Sequence, residues 1–189
     1  MAAGPRVLVL RSRLGVRARA TLTEAGTRPA AVLVPLFGSD ENLELVLFER
    51  SANVLEHKGE ICFPGGSAEA SDAGPIETAL REAEEELALP RGSVDVIGLL
   101  DDVPTTVSNY VITPVVGHVA GDPSLVGDPL EVARIIRVPL ARLLEPGVES
   151  AGEWEYRGVT RMRYAYTFDG NHVWGATGRI LHSLVDVFH

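Results

Sequence analysis

Glu82, Glu85 and Glu86 stand three and four residues apart in the stretch Arg81-Glu82-Ala83-Glu84-Glu85-Glu86-Leu87. On an α-helix, which turns about 100° per residue, the three carboxylates share one arc. That arc lies beside an apolar face of Ile76, Ala79, Leu80, Ala83 and Leu87, spaced i, i+3, i+4, i+7, i+11. Like charges at such spacings cost a helix roughly 0.2–0.5 kcal/mol per pair. Two readings explain the cluster: a solvated acidic surface, or oxygen ligands for a hard divalent cation that bridges substrate phosphates. The helix alone does not decide between them.

The neighbouring residues bear on that choice. Phe63-Pro64-Gly65-Gly66 punctuates the chain ahead of the helix, and Pro75 suits its first turn. Gly65 and Gly66 would let backbone approach the helix and a ligand closely, or simply make a turn. Arg50 and Ser51 end a strand just upstream, where a phosphate contact and an ordinary salt bridge are both open. Arg81 suits orienting or neutralising a carboxylate of the cluster; a structural surface pair is the other reading. Cys62, between Ile61 and Phe63, reads as a small core residue rather than a nucleophile. His118, His172 and His182 lack metal-ligand spacing and are expected in structural or surface roles. Tyr110 and Trp154 could stack on a base, but packing is their expected role, and Trp174 is expected in the core or as a lid for the last helix.

These residues must be positioned by strands and two helices. Ala30 to Phe37 reads as a buried strand and Leu43 to Glu49 as its partner, with turn chemistry from Gly38 to Asn42, so the pair is expected to be a hairpin. Further strands are expected at about 94–100, 110–119 and 130–138. Pro114 suggests a bulge or an edge position in the second of these. A short helix at 139–144, a hairpin over 154–168 and an amphipathic helix over 174–188 complete a mixed α/β sandwich.

Composition narrows the class. The 189 residues are 46% hydrophobic and 23% charged, enough for one globular domain with a sizeable core. The single cysteine excludes an internal disulfide framework and fits a reducing compartment. A net charge of -9 argues against a general nucleic-acid binder, and no apolar run reaches membrane-spanning length. Before Glu24 there is no acid but five arginines: Arg6, Arg11, Arg13, Arg17 and Arg19. That stretch reads as a short basic leader or an N-terminal helix, with an organellar address left open. Lys58 is the only lysine, so arginine is the default cation and its abundance carries little addressing information.

Taken together, Gly65-Gly66, Glu69, Asp72 and Arg81 to Leu89 resemble the Nudix box, G-x5-E-x7-R-E-U-x-E-E-x-G-U. Glu82, Glu85 and Glu86 match the family's metal-ligand glutamates, Arg81 its arginine, and Asp72 stands at the first glutamate. Three departures are visible: Asp72 itself, one extra residue between Asp72 and Arg81, and Ala83 and Ala88 where a larger aliphatic residue and glycine are usual. Upstream, Val46 to Ser51, Gly59 and Phe63 to Gly66 resemble the signature of the coenzyme A diphosphatase branch, as do several downstream segments. Phe48 replaces a threonine of that signature and Leu55 its second arginine; His57 and Lys58 are the nearest substitutes for the lost charge.

The resemblance implies a Nudix α/β/α sandwich with a mixed central sheet, residues 28–189 forming the domain and 1–27 a basic leader or extension. It implies Mg²⁺ or Mn²⁺ held by Glu82, Glu85 and Glu86, with Arg81 assisting and Glu85 or the loop residue Glu131 as base. Arg50, Ser51, His57, Lys58, Gly65 and Gly66 are the expected substrate contacts. The expected reaction is hydrolysis of coenzyme A or its thioesters to 3′,5′-ADP and (acyl-)4′-phosphopantetheine. Alternatives are another nucleoside-diphosphate pyrophosphatase, acting on ADP-ribose or a dinucleotide, and a non-catalytic ligand-binding module. A small-molecule substrate is the expected partner, with neither nucleic acid nor membrane, and a homodimer is left open. The expected compartment is the cytoplasm, a mitochondrial address remaining open from the basic N-terminus.

Overall fold

Strand β1 (Arg28–Phe37) shows why the sheet must be covered on both faces. Ala31, Leu33 and Phe37 point into one buried cluster, while Val34 and Leu36 point into another. Strand β2 (Glu44–Arg50) divides in the same way, Val46 and Phe48 against Leu45 and Leu47. Side chains alternate across a strand, so two apolar faces require two covering layers. Phe48, which replaces a threonine of the resembled signature, is fully buried in the first of these clusters. The computed structural model describes residues 4–39, 42–54, 57–105, 108–119, 121–156 and 158–188. Leu55 lies outside them.

The remaining elements are β3 (Ile61–Cys62), β4 (Gly65–Ser67), β5 (Val94–Leu99), β6 (Val103–Pro104), β7 (Tyr110–Val119) and β8 (Val132–Pro139), which complete the larger sheet with β1 and β2. Its order is β3-β2-β1-β7-β5, with β4 on β1, β6 on β7 and β8 on β2. The pairing of β1 with β7 is parallel and the other pairings are antiparallel, so the sheet is mixed. A second sheet has the order β11-β10-β9, from β9 (Glu149–Tyr156), β10 (Val159–Phe168) and β11 (Asn171–Val173). Helix α2 (Pro75–Leu87) packs on one face of the large sheet; α1 (Pro5–Val16) and α4 (Gly175–Phe188) pack on the other, and α3 (Leu140–Leu143) is a single turn. This is the expected α/β/α sandwich. Among the described residues no helix is long and apolar enough to cross a membrane.

Two details differ from expectation. The β1–β2 hairpin pairs only at Leu36↔Leu45 and Phe37↔Glu44, after which the strands part. β1 takes β4 at the freed edge, with Ala31 opposite Gly66 and Val32 opposite Gly65, while β2 pairs along its length with β8. Pro114 lies in a central strand, not at an edge. Its carbonyl accepts from Leu100 N–H, so its missing N–H faces the gap where β5 has ended and β6 has not begun. The basic stretch before residue 28, open to a leader or an N-terminal helix, includes helix α1, whose Val7, Leu10 and Leu14 are buried in the same core as α4. Its arginines answer acids of the domain: Arg11 with Asp95, Arg17 with Asp101 and Arg19 with Asp102.

Candidate active site

The parting of β1 and β2 opens a cavity of about 680 Å³ between the two sheets, large enough for a whole small-molecule ligand. Strand β4 and helix α2 form one end. A Cβ on Gly65 would stand 2.4 Å from Ala31 O and 2.6 Å from Val32 Cα, so glycine lets β4 lie directly on β1. On Gly66 the added atom would meet the Glu82 carboxylate, 2.5 Å away. The two adjacent glycines therefore serve different partners: one the sheet, the other a carboxylate.

Arg81 organises the loop behind this wall. Its Nε and Nη2 donate to Asp72 at 3.2 and 3.1 Å, Nη2 also to Ser67 O at 3.0 Å, and Nη1 to Glu82 at 2.7 Å and Glu85 at 3.3 Å. These bonds hold the Asp72 carboxyl well below the usual carboxylate range; the Glu69 N–H and the Thr78 hydroxyl help. Arg81 is itself buried, and its own pKa is raised, chiefly by Asp72. Asp72 thus holds the loop through Arg81, and the extra residue between them is absorbed without breaking that bond.

Glu86 is in a different situation. It is 4% exposed, accepts one backbone bond from Gly65 N–H at 2.9 Å, and has Arg50 Nη1 4.0 Å away. Burial pushes its carboxyl up to about 8, with Glu82 and Glu131 adding to the effect and Gly65 N–H and Arg50 opposing it. Burial also raises Glu82, against the pull of Arg81. Glu82, Glu86 and Glu131 all line the cavity. Among the described residues no three Asp, Glu, His or Cys side chains are drawn together as a finished ligand set. The donors nevertheless fit a hard cation: buried carboxylate oxygens, more negative charge than neighbouring donors offset, and an open cavity beside them.

The expected residues separate on this geometry. Glu82 and Glu86, four apart on α2, face the cavity together; Glu85 is one step round the helix, 58% exposed, and lies with Arg81 outside the lining. Arg50 lines the cavity beside Glu86, re-aimed by a bulge in the β2–β8 pairing at Glu49/Arg50, and among the described residues its buried Nε has no acceptor. His57, Gly65 and Gly66 also line it, with His57 3.1 Å from Glu60. Ser51 and Lys58 do not. Ser51 is buried and gives its N–H to Glu131 O at 2.7 Å, so it positions the loop that carries Glu131; Lys58 is exposed at a turn.

Cys62 is on the cavity wall, half-buried, and its thiol is pushed up to about 12 by burial, which leaves it protonated at neutral pH. Tyr110 and Trp154, expected to pack, and Trp174, expected in the core or as a lid for the last helix, all line the cavity, and Trp174 is 41% exposed. Arg163, which the sequence patterns did not single out, lines the cavity with them. The signal available was its place two residues from Arg161 in a strand, since such residues share a face.

A NUDIX domain model matches residues 27–166 of the chain. A Photorhabdus laumondii protein named as an uncharacterized Nudix hydrolase, NudL, is 38% identical over 157 residues, or 83% of each chain. The protein of that name in Escherichia coli K12 is 37% identical, over 83% of this chain and 81% of its own. Among solved structures, a MutT/nudix family protein from Enterococcus faecalis superposes with a TM-score of 0.59 at 12% identity, covering 87% of this chain and 63% of that one. A C. elegans Ap4A hydrolase gives 0.51 at 15% identity, covering 61% and 82%. At these identities the structural likeness concerns the fold alone.

Proposed function

The chain belongs to the Nudix hydrolase family, whose members cleave pyrophosphate-containing substrates, and from that premise we propose that its substrate is coenzyme A or a coenzyme A thioester. The products are 3′,5′-ADP and (acyl-)4′-phosphopantetheine. The observation that carries this reading is the cavity wall, where Arg50, Phe63, Gly65 and Gly66, from the segments resembling the coenzyme A branch, line the same cavity as the buried carboxylates of α2.

Family members work with divalent cations, and here Glu82 and Glu86 would hold Mg²⁺ or Mn²⁺, which when bound supplies charge neutralisation at phosphorus and a more acidic water. The protein's own groups do the positioning. Arg81 fixes Glu82 from behind, and Gly65 N–H fixes Glu86. Arg50, with a free Nε and a guanidinium turned to the cavity, binds a non-bridging oxygen of the diphosphate. Glu131 faces the same space as Glu82 and Glu86 and takes the proton of the attacking water; its place on the wall favours it over Glu85. Tyr110, Trp154 and Trp174 offer flat surfaces for the base or the pantetheine arm.

The test is a panel of coenzyme A, acetyl-coenzyme A, ADP-ribose, NADH and dNTPs with Mg²⁺ or Mn²⁺, products resolved by chromatography. kcat/KM for coenzyme A is expected to exceed that for ADP-ribose by at least about tenfold, or roughly 1.4 kcal/mol. A preference for ADP-ribose or NADH would overturn the substrate assignment and leave the hydrolase in place.

A further inference from the structure

Where β10 meets the start of α4, a side pocket of about 70 Å³ opens beside the main cavity and shares Trp154, Arg163 and Ala176 with it. Arg161, Arg163 and Arg179 line the pocket, and no Asp or Glu is among the described residues that line it. In a chain with a net charge of -9 this is unusual. Arg81, Arg91, Arg134 and Arg142 each have a carboxylate partner, whereas among the described residues Arg161 and Arg179 form no ion pair. Three cations sharing one small pocket repel one another, and among the described residues no carboxylate forms an ion pair with Arg161, Arg163 or Arg179.

The fold builds this cluster. Arg161 and Arg163 are two apart in β10 and share a face, opposite Trp154 and Gly152 of β9. Glu153 and Glu155 pair with Met162 and Thr160, and neither is among the described residues that line the pocket. The Arg163 guanidinium stands 5.3 Å from the Trp154 ring and 5.5 Å from the Trp174 ring, contacts that hold a cation without cancelling its charge. Arg179 comes from α4, next to Gly178, where a Cβ would meet Tyr164 O at 2.3 Å. The helix therefore rests directly on β10, and Arg179 is brought to the pocket.

Size limits the occupant. About 70 Å³ corresponds to a few water molecules, room for a phosphate-sized group but not for a nucleoside. The larger cavity is lined both by Glu82 and Glu86 of α2 and by Arg163 with the two tryptophans, and the side pocket adjoins the latter. A ligand with its diphosphate at Glu82 and Glu86 occupies the cavity that the side pocket adjoins, so the pocket is placed to take a substituent of that ligand. We propose that Arg161, Arg163 and Arg179 form a second anion subsite, binding a phosphate monoester of the substrate remote from the scissile diphosphate. Resting on the coenzyme A reading, that group is the 3′-phosphate. Arginine suits it, because its planar fork donates two bonds to one phosphate. The subsite supplies cationic charge that Leu55 does not carry.

The experiment compares coenzyme A with dephospho-coenzyme A on the full chain, with 3′,5′-ADP against 5′-AMP binding measured by calorimetry as an independent arm. Wild type is expected to favour coenzyme A by at least about tenfold in kcat/KM, mostly through KM. Arg161→Gln and Arg179→Gln should each lower that ratio about threefold or more, and the double variant should bring it near one, with melting temperatures unchanged. Arg91→Gln, whose side chain pairs with Glu84 away from the cavity, should keep the wild-type ratio. An unchanged ratio in the double variant, or an equal fall in Arg91→Gln, would overturn the subsite while the coenzyme A reading stood. If wild type instead prefers ADP-ribose, the coenzyme A reading falls and the binding arm decides alone. A 3′,5′-ADP preference that the double variant loses supports the subsite, and no preference in wild type rejects it.

Discussion

Beside α2 the cavity's charges are acidic, buried and held by hydrogen bonds; beside β10 they are basic, more exposed and, among the described residues, set against aromatic rings or without an ion pair. Glu82 and Glu86 reach the cavity from one helix, four residues apart, with Arg81 and Gly65 fixing them from behind. Arg161, Arg163 and Arg179 converge from a strand and a helix that meet only because Gly178 lets them touch. The first arrangement resists displacement, as reacting groups require. The second leaves its charges available, as an anion subsite requires.

The strongest way to break the comparison is to remove charge at the rigid end. Glu82→Gln and Glu86→Gln should each cost on the order of a hundredfold or more in kcat, several kcal/mol of transition-state stabilisation, and chelation should abolish turnover until Mg²⁺ or Mn²⁺ is restored. Both variants should fold. Near-wild-type turnover in both would remove the carboxylates from the mechanism.

Next in size is the support behind those carboxylates. Arg81→Met should destabilise the protein by about 3 kcal/mol, because it strips partners from Asp72, Glu82 and Ser67 O together. Denaturant midpoints would show it, whereas loss of activity at full stability would mean that Arg81 acts only on the reaction. The glycines divide the same end more finely. Gly65→Ala should lower stability, since its Cβ meets backbone, and Gly66→Ala should lower kcat at nearly wild-type stability, since only the Glu82 carboxylate must move. If thermal melts rank the two the other way, the division of labour is wrong.

A pH effect of smaller size sharpens the contrast. In chelated protein the folded-state pKa of Glu86 is raised to about 8 from an ordinary 4.5, so the folded form binds more protons. Its contribution to stability is complete below about 4.5 and is lost as pH rises through about 8. Urea unfolding of the chelated protein between pH 5 and pH 9 should show the decline, and Glu86→Gln should flatten it. A decline that persists in the variant would point to another group. The smallest effect concerns Ala88, which ends α2 in the left-handed conformation at φ 53°, with Leu89 N–H closing on Ala83 O. Ala88→Gly should relieve about 1 kcal/mol there and raise the melting temperature by a few degrees with activity unchanged.

Much of the acidic end was legible because its determinants are local. Helical periodicity alone puts Glu82, Glu85 and Glu86 on one arc and Ala79, Ala83 and Leu87 against the sheet, and the glycine pair ahead of Pro75 marks the turn into it. Periodicity also showed which strands are buried. It could not say that β1 and β2 part after two pairs, because that depends on β4 and β8 competing for their edges. Nor could it rank the carboxylates. Glu85 shares the arc, yet its side chain lies with Arg81, while Glu131, forty-six positions further on, lines the cavity with Glu82 and Glu86, its loop held by the bond from Ser51 N–H to its carbonyl.

The basic N-terminus shows the same limit. Its arginines read as an address or a helix, and only the fold brings Asp95, Asp101 and Asp102 to meet them. What this sequence determined by itself was the chemistry of one helix and the two-sided burial of the strands, since both follow from spacings of a few residues. Tertiary structure alone decided which charges face one another across the cavity. Arg50, Glu86, Glu131, Arg163 and Arg179 are brought together by strand pairing and helix docking across most of the chain's length, and no short-range pattern encodes that meeting.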